Sequence, residues 1–264
     1  RSSRPKPPPV VENTEGWFAG WDTITRAGSK HEVIRIVSAD GAKSSMLLLS
    51  SGAKRGPGAA ELSKLQLGDA VRASFIKADT TTKVANTVSK HSLQAPLPAD
   101  FIRFNGTKLV KEIDGRRWLG LEVDIGPMKQ VIPLPAKDGK PAQQCEADGP
   151  DPTGDPEILK KFEAFKTGDY VDIACTAQAF ALLVTDIKPR LTTESGEFVR
   201  FVKQGELNIV MIRGARKQVR GFRVPTEKAE LVSAVAAMPA DGKVKFTWRR
   251  QGGIDWIEVA EPTK

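Results

Sequence analysis

Hydrophobic and polar positions alternate along the last part of the chain in five short runs, with one stretch of helical spacing between the third and the fourth. The strand-like runs cover residues 198–202, 207–212, 219–224, 244–248 and 254–259. Between them, Leu231, Val235 and Met238 recur at the spacing of one helix face, and Pro225 marks the beginning of that helix. The pattern predicts the element order β-β-β-α-β-β.

Two short motifs recur in the same order at three places in the sequence. Phe101-Ile102-Arg103-Phe104 returns as Phe198-Val199-Arg200-Phe201, and Phe18-Ala19-Gly20-Trp21 is a weaker third copy. Further along each copy, an apolar residue precedes a valine by six positions, with a glycine and an aspartate between them, in segments 65–71, 165–171 and 238–244. Matched motifs in a constant order indicate three tandem copies of one module.

The order of elements resembles that of the OB-fold, a small five-stranded Greek-key barrel. The turn Lys166-Thr167-Gly168-Asp169-Tyr170-Val171, which leads into the fourth strand of the second copy, is similar to the corresponding turn of many OB-fold sequences. The resemblance runs from about residue 16 to residue 264 and implies a mainly β protein of three tandem small barrels. An SH3-like barrel is the alternative, although that fold usually lacks a full helix at this point.

The turns and connectors divide the chain into four segments. We expect a proline-rich basic arm or linker over residues 1–15, because its four prolines favour an extended chain of the polyproline II type. Three OB-like barrels are expected to follow, over residues 16–95, 96–191 and 192–264. The second barrel carries an insertion at 136–156 that is rich in proline, glycine and acidic residues.

The composition argues against an enzyme. His31 and His91 lack partners at metal-ligand spacing, and the second copy has no histidine that could activate the thiol of Cys145 or Cys175. We therefore expect no catalytic residue, no metal and no cofactor, and a Cys145–Cys175 disulfide only if the protein is exported. No apolar run approaches the eighteen or so residues of a membrane helix, so no transmembrane segment is predicted.

Charge and aromatic residues point to a possible ligand class. The chain has a net charge of +8, with the first and third copies basic and the second slightly acidic. OB-folds as a family bind single-stranded nucleic acid or other ligands across strands two and three and the loops 1–2 and 4–5, and such binding needs cations and stacking rings. The candidate binding residues of the third copy are Arg213, Arg216, Lys217, Arg220, Arg223, Lys245, Arg249 and Arg250, and those of the other copies are Lys30, Lys77, Lys83 and Trp118.

The resulting hypothesis is a non-catalytic protein that binds single-stranded nucleic acid or another polyanion through the first and third barrels. The second barrel would be a spacer or a docking site for protein partners. The alternative is a structural protein, an assembly or envelope scaffold tethered through its proline-rich N-terminus. Because the chain does not begin with methionine, we expect that an upstream segment was removed. A plain methionine start would indicate the cytoplasm, and a removed targeting segment would indicate export or an organelle.

Overall fold

The computed structural model describes residues 9–26, 28–50, 59–111, 116–144, 149–178 and 181–263. Within these ranges the chain is mostly β, with short helices, and it forms three successive units. Each unit has the order β-β-β-α-β-β, and the second has an extra two-residue strand before its helix. The mainly β fold class predicted from the sequence is therefore confirmed.

The first unit is a closed five-stranded barrel. Its elements are β1 (Val11–Arg26), β2 (Ser29–Ser38), β3 (Ser44–Leu49), α1 (Ala59–Leu62), β4 (Ala70–Lys77) and β5 (Lys83–Lys90). The strands are hydrogen-bonded in the order β1-β2-β3-β5-β4, and β4 pairs back onto β1. Alternate residues such as Ile34 and Ile36 are buried in the barrel, because successive side chains of a strand point to opposite faces.

In the second unit, the same order of elements does not close into a barrel within the described residues. Its elements are β6 (Ile102–Lys111), β7 (Arg117–Ile125), β8 (Met128–Pro133), β9 (Gln143–Gln144), α2 (Pro156–Phe162), β10 (Val171–Gln178) and β11 (Ala181–Pro189). Strands β6, β7 and β8 form one sheet with β9 on β7, whereas β10 and β11 form a separate hairpin. The two sheets meet at a bridge between Arg103 and Tyr170.

Strand β1 of the first barrel lies beside the open side of the second unit, between β8 and β11. A Cβ atom on Gly20 of β1 would lie 3.2 Å from Oε1 of Gln130 in β8 and 3.5 Å from Cδ1 of Leu182 in β11. Because Gly20 has no side chain and a φ of 120°, the backbone can approach both strands closely. The first barrel thus covers part of the opening in the second unit.

The third unit repeats the closed barrel of the first. Its elements are β12 (Thr192–Gln204), β13 (Leu207–Gly214), β14 (Val219–Val224), α3 (Ala229–Ala236), β15 (Lys243–Gln251) and β16 (Ile254–Pro262). Both barrels close through a short parallel pairing, which includes Leu48–Val84 in the first and Arg223–Trp256 in the third. This strand order, with the helix between the third and fourth strands, is that of the OB-fold. The SH3-like alternative is therefore set aside.

The Gly-Asp turn motif occupies the same place in all three units. In each, a backbone N–H of the turn donates to the carbonyl oxygen of a phenylalanine in the first strand; the pairs are Gly68–Phe18, Gly168–Phe104 and Asp241–Phe198, at 2.9, 2.8 and 2.8 Å. The φ angles of Gly68, Gly168 and Asp241 are all positive, at 86°, 91° and 59°. The third copy therefore has an aspartate where the other two have a glycine.

These hydrogen bonds correct the alignment of the first repeated motif. They make Phe18, Phe104 and Phe198 equivalent, and a β-bulge follows each of the three phenylalanines. The sequence match had instead paired Phe101 with Phe198, three residues too early. The two pairs of phenylalanines have the same spacing, but Phe101 and Phe104 both precede their bulge, whereas Phe198 and Phe201 lie on either side of theirs.

The proline-rich arm is shorter than predicted. Residues 11–15, which the sequence analysis places in the arm, form the first part of β1 and pair with residues 72–76 of β4. An ion pair of 2.7 Å between Lys77 Nζ and Glu12 lies at the same place. The segment contains few apolar side chains, so the hydrophobic pattern could not reveal a strand that is held mainly by backbone hydrogen bonds.

The described part of the insertion at 136–156 is attached to β7. Its strand β9 pairs with the beginning of β7, and the guanidinium of Arg117 binds the side chain of Gln144, the carboxylate of Asp151 and the carbonyl oxygen of Gly149. The side chain of Asp155 then accepts the N-terminal hydrogen bonds of α2. The insertion therefore adds to the sheet of the second unit.

The first two units share one hydrophobic core, whereas the third unit has its own. The rings of Trp17 and Phe101 meet edge to face with centroids 6.5 Å apart. The side-chain amide of Gln66 accepts a hydrogen bond from the backbone N–H of Cys175 at 3.0 Å and donates one to its carbonyl oxygen at 2.9 Å. These contacts fix the first barrel on the second unit.

Candidate nucleic-acid interface

A cross-strand row of side chains carries two arginines and a tryptophan across the outer face of the third barrel. The row runs over β13, β14, β16 and β15 through the pairs Ile209–Arg223, Arg223–Trp256 and Trp256–Arg249. The first and third of these pairs are antiparallel, so their Cβ atoms lie about 5 Å apart on the same face, and the middle pair is the parallel one that closes the barrel. All four residues are half-buried, while most of their neighbours in sequence are buried. The row places an indole beside two guanidinium groups.

Three residues of the row, Arg223, Trp256 and Arg249, line a cleft of about 960 Å³. The end of β12 contributes Lys203 to the lining, the β12–β13 turn contributes Glu206, and the approach to α3 contributes Glu227. The lining therefore holds three cations and two acids. Its volume is in the range of clefts that take up a small molecule or a nucleotide.

Asn208, on β13, adds a buried polar group to the cleft. Its side chain is 7% exposed, it lines the cleft, and its Oδ1 accepts no hydrogen bond from the described residues. Buried polar groups are nearly always hydrogen-bonded, because an unpaired one is costly. An amide offers both a donor and an acceptor, so Asn208 can bind the polar edge of a ligand.

Glu258 holds Arg249 beside the cleft. Its carboxylate accepts hydrogen bonds from Arg249 Nε and from Lys228 Nζ. Burial acts to raise the pKa of Glu258, but the hydrogen bonds from Lys228 and Arg249 outweigh it and hold the pKa below its ordinary value of 4.5. Glu258 is therefore ionised at neutral pH and offsets part of the positive charge at the cleft.

Six of the eight predicted cations of the third barrel lie outside the cleft lining, and four of them are on exposed or peripheral positions. Arg216 and Lys217 are exposed in the β13–β14 turn, and neither has an ion pair with a described residue. Arg213 binds Glu197 at 2.9 Å, and Lys245 is exposed on β15. The turn is at the far end of β14 from the cleft, so these residues remain candidates for contacts with a longer ligand.

Arg220 and Arg250 are engaged by protein groups. The guanidinium of Arg220 lies 4.3 Å from the ring centroid of Trp248 and 3.4 Å from the carboxylate of Asp255. Arg250 reaches across to the second unit, where it lies 5.4 Å from the ring centroid of Tyr170 and donates to its hydroxyl at 3.2 Å. The hydrogen bond to Tyr170 raises the pKa of Arg250. Both predicted site residues thus stabilise the barrel and its junction.

The first barrel has no charge at the positions of the cationic row. The same strand pairings make Leu48, Val84 and Ile76 the equivalents of Arg223, Trp256 and Arg249. The two closed barrels therefore share a fold but present different surfaces at this place.

The three predicted lysines of the first barrel are dispersed. Lys77 forms its ion pair with Glu12, and Lys83 Nζ lies 5.0 Å from the ring centroid of Phe75. Lys30 is exposed near the beginning of β2. Within the described residues, the structure does not gather these lysines around one cleft.

Trp118, the predicted stacking residue of the second unit, is half-buried on β7. It lines a separate cavity of about 530 Å³ that also has walls from the first barrel. The structure therefore places Trp118 in a different site from the arginines of the third barrel.

Cys175, the thiol considered as a nucleophile from the sequence, is buried on β10. Burial raises the pKa of Cys175 to about 12, which keeps the thiol protonated and unreactive. Cys145, its predicted partner in a disulfide, lies outside the described residues. The ranges that are described contain no group of three side chains fit to hold a metal ion, and no helix long and apolar enough to cross a membrane.

Comparison with known proteins adds little to this picture. No family model matches the chain, and no curated protein matches it. Among solved structures it is similar to the tetrameric p202 HIN2, with 10% identity over 62% of this chain and 92% of that chain and a TM-score of 0.23. It is also similar to Drosophila Unr CSD456, with 10% identity over 97% of this chain and 99% of that chain and a TM-score of 0.21. At these scores neither likeness carries an argument, and the class, tandem OB-like units, rests on the strand order.

The binding site predicted from the sequence does not include Asn208, although the position of this residue on its strand points to it. Asn208 is in phase with Val210 and Ile212, which are buried on the inner face of β13. A polar residue at an inward position of a strand is unusual and marks a place where a partner is needed. Nothing in the sequence indicates that Arg223 and Trp256 are neighbours, because their pairing depends on how the barrel closes.

Proposed function

We propose that this chain is a non-catalytic binding protein for single-stranded nucleic acid, or for another polyanion, with the cleft of the third barrel as its main contact. The observation that carries the proposal is the row of Arg223, Trp256 and Arg249. An indole provides a flat surface on which one base can stack, and such stacking contributes about 1–3 kcal/mol per base. Guanidinium groups beside the indole can bind the neighbouring phosphates.

The cleft favours unpaired bases over a duplex. The bases of a duplex stack on one another, so they cannot reach an indole that is half-buried in a cleft. Asn208 supplies an amide that can hydrogen-bond to a base edge, as asparagine does in base recognition. Because acids partly offset the cations of the lining, stacking should contribute more to affinity than net charge. The second unit, which is slightly acidic, would serve as a spacer or as a docking site for a protein partner.

The test is titration of the full chain into a fluorescently labelled oligothymidylate of about twelve nucleotides, a length that OB-folds can cover, at several salt concentrations. The double variant Lys203→Gln/Arg223→Gln should bind about tenfold more weakly. Its salt slope should fall by about 0.7 for each phosphate contact that is lost.

Two matched double variants separate a site from general attraction. Lys108→Gln/Lys111→Gln removes two charges from the second unit and should leave affinity nearly unchanged. Arg216→Gln/Lys217→Gln removes two charges from the exposed turn and should weaken binding less than the cleft variant. Equal losses in all three would show that the cleft is not a site. No binding by the native chain at low salt would reject the proposal in favour of the scaffold alternative.

A further inference from the structure

The cavity between the first barrel and the second unit has features of a second binding site. It lies where β1 and β2 of the first barrel approach β7, β8 and β11 of the second unit, and its volume is about 530 Å³. Small-molecule sites of proteins commonly have this size and lie at interfaces between domains. Both units contribute residues to its lining.

Two tryptophans provide its aromatic walls. Trp21 of β1 is 7% exposed and packs on Phe18 with ring centroids 5.0 Å apart. Trp118 of β7 lies over Gly120 of the same strand, where a Cβ atom would come within 2.7 Å of its Cζ3. The glycine thus leaves space for the indole to lie along the strand and to border the cavity.

Arg35 of β2 adds a polar group that lacks a full set of partners. Its Nη2 binds the carboxylate of Asp22 at 2.5 Å, and its Nη1 lies 3.9 Å from Sδ of Met128. Its Nε is buried and donates to no described residue. The side chain as a whole is 26% exposed, so the accessible part of its guanidinium can donate to a ligand in the cavity.

The remaining polar walls are amides and a lysine. Gln130 of β8 and Gln143 of β9 both line the cavity, as does Lys129. Glutamine amides pair with the edge of a base through a donor and an acceptor, while the rings stack on its faces. A phosphate alone fits less well, because Asp22 already neutralises Arg35 and leaves Lys129 as the other cation of the lining.

We propose that this cavity binds a single nucleobase, stacked on Trp118 and hydrogen-bonded by the surrounding amides and Arg35. The base can be that of a free nucleotide or one splayed out of a single strand, since both present the same planar ring and polar edge. The site shares no residue with the cleft of the third barrel. It can therefore exist whether or not that cleft binds nucleic acid.

The experiment is titration of the full chain with adenosine 5′-monophosphate, followed by quenching of tryptophan fluorescence. The native chain should show saturable quenching, and ribose 5-phosphate, which lacks the base, should cause none. Trp118→Ala should weaken binding by about tenfold or more, because it removes the stacking surface, and Trp118→Phe should restore most of the affinity. Gln143→Ala, on an exposed residue of β9, should weaken binding about fivefold without disturbing the core.

Variants of the third barrel distinguish this site from the proposed interface. Trp256→Ala should leave the affinity for adenosine monophosphate unchanged even though it weakens binding of oligothymidylate. If a short oligoadenylate competes with adenosine monophosphate, the cavity also accepts a base splayed out of a single strand. If it does not compete, the site is assigned to free nucleotides. The inference is overturned if the native chain does not bind adenosine monophosphate, if ribose 5-phosphate binds equally well, or if Trp118→Ala and Gln143→Ala both bind normally.

Discussion

The carboxylate of Asp169, in the second unit, accepts a hydrogen bond of 2.6 Å from the backbone N–H of Gly252 in the third. It also accepts the N–H of Gly253 at 2.8 Å and, within its own turn, that of Lys166 at 2.8 Å. Asp169 is fully buried. A repeated turn residue has thus become the anchor for the β15–β16 turn of the next barrel, a turn that contacts ligands in many OB-folds.

Replacement of Asp169 by asparagine should destabilise the chain by about 1–3 kcal/mol. The amide would place N–H groups against backbone N–H groups, which leaves buried donors unpaired. The measurement is the free energy of unfolding in denaturant.

Asp69→Asn, at the equivalent turn of the first barrel, is the matched control. Asp69 accepts the N–H of Gln66 and pairs with Lys90, and among the described residues its carboxylate binds no other unit, so Asp69→Asn should destabilise the chain less. Equal costs would mean that the junction contributes nothing.

Trp256→Ala should reduce the affinity for single-stranded oligonucleotide by about 1–3 kcal/mol, the range observed for loss of a stacking ring. Trp256→Phe should retain most of the affinity, because it keeps an aromatic face. Fluorescence anisotropy with the labelled oligothymidylate measures both. Val84→Ala, at the equivalent position of the first barrel, should change nothing, and a comparable loss there would contradict a site confined to the third barrel.

Glu258→Gln should tighten oligonucleotide binding about twofold to fivefold at low salt, since it releases Arg249 and Lys228 from their shared carboxylate. Glu261→Gln removes an exposed acid from the same strand and should have a smaller effect. If both variants tighten binding equally, net charge explains the gain and the location of Glu258 beside the cleft does not matter.

The difference in stability between the native chain and Glu258→Gln should depend on pH in a defined direction. The pKa of Glu258 is lower in the folded chain than its ordinary value of 4.5, so its contribution to stability is present above that value and disappears as the pH falls through the folded pKa. The native chain should therefore exceed Glu258→Gln in stability at neutral pH, and the difference should shrink below about pH 4.5. A constant difference across a series of unfolding curves would contradict this assignment.

Asp241→Gly should stabilise the third barrel by about 0.5–1 kcal/mol. Asp241 has a positive φ of 59° where the other copies have glycine, and side chains other than glycine are strained there. Thermal unfolding measures the gain. The converse variant is Gly168→Ala, at a φ of 91° with open space around the added methyl group, so that only backbone strain can lower its stability. A stabilising Gly168→Ala would refute the argument.

The sequence by itself determined the local structure of this protein. Alternating apolar residues define the strands because a half-buried strand has a period of two. The Gly68, Gly168 and Asp241 turns could be aligned because they need a residue that accepts a positive φ. Both signals act over a few residues, so they survive in a single sequence, and the order β-β-β-α-β-β follows from them.

The tertiary structure alone decided which of these elements close into a barrel and which basic residues meet. Arg223 and Trp256 are neighbours because β14 and β16 pair in parallel, a register set by the packing of the whole barrel. Arg220 looked like a binding residue in the sequence, yet its guanidinium lies over the Trp248 ring. The sequence shows whether a side chain is charged and which face of its strand it occupies. The residue that it contacts lies far away in the chain, and only the folded barrel brings the two together.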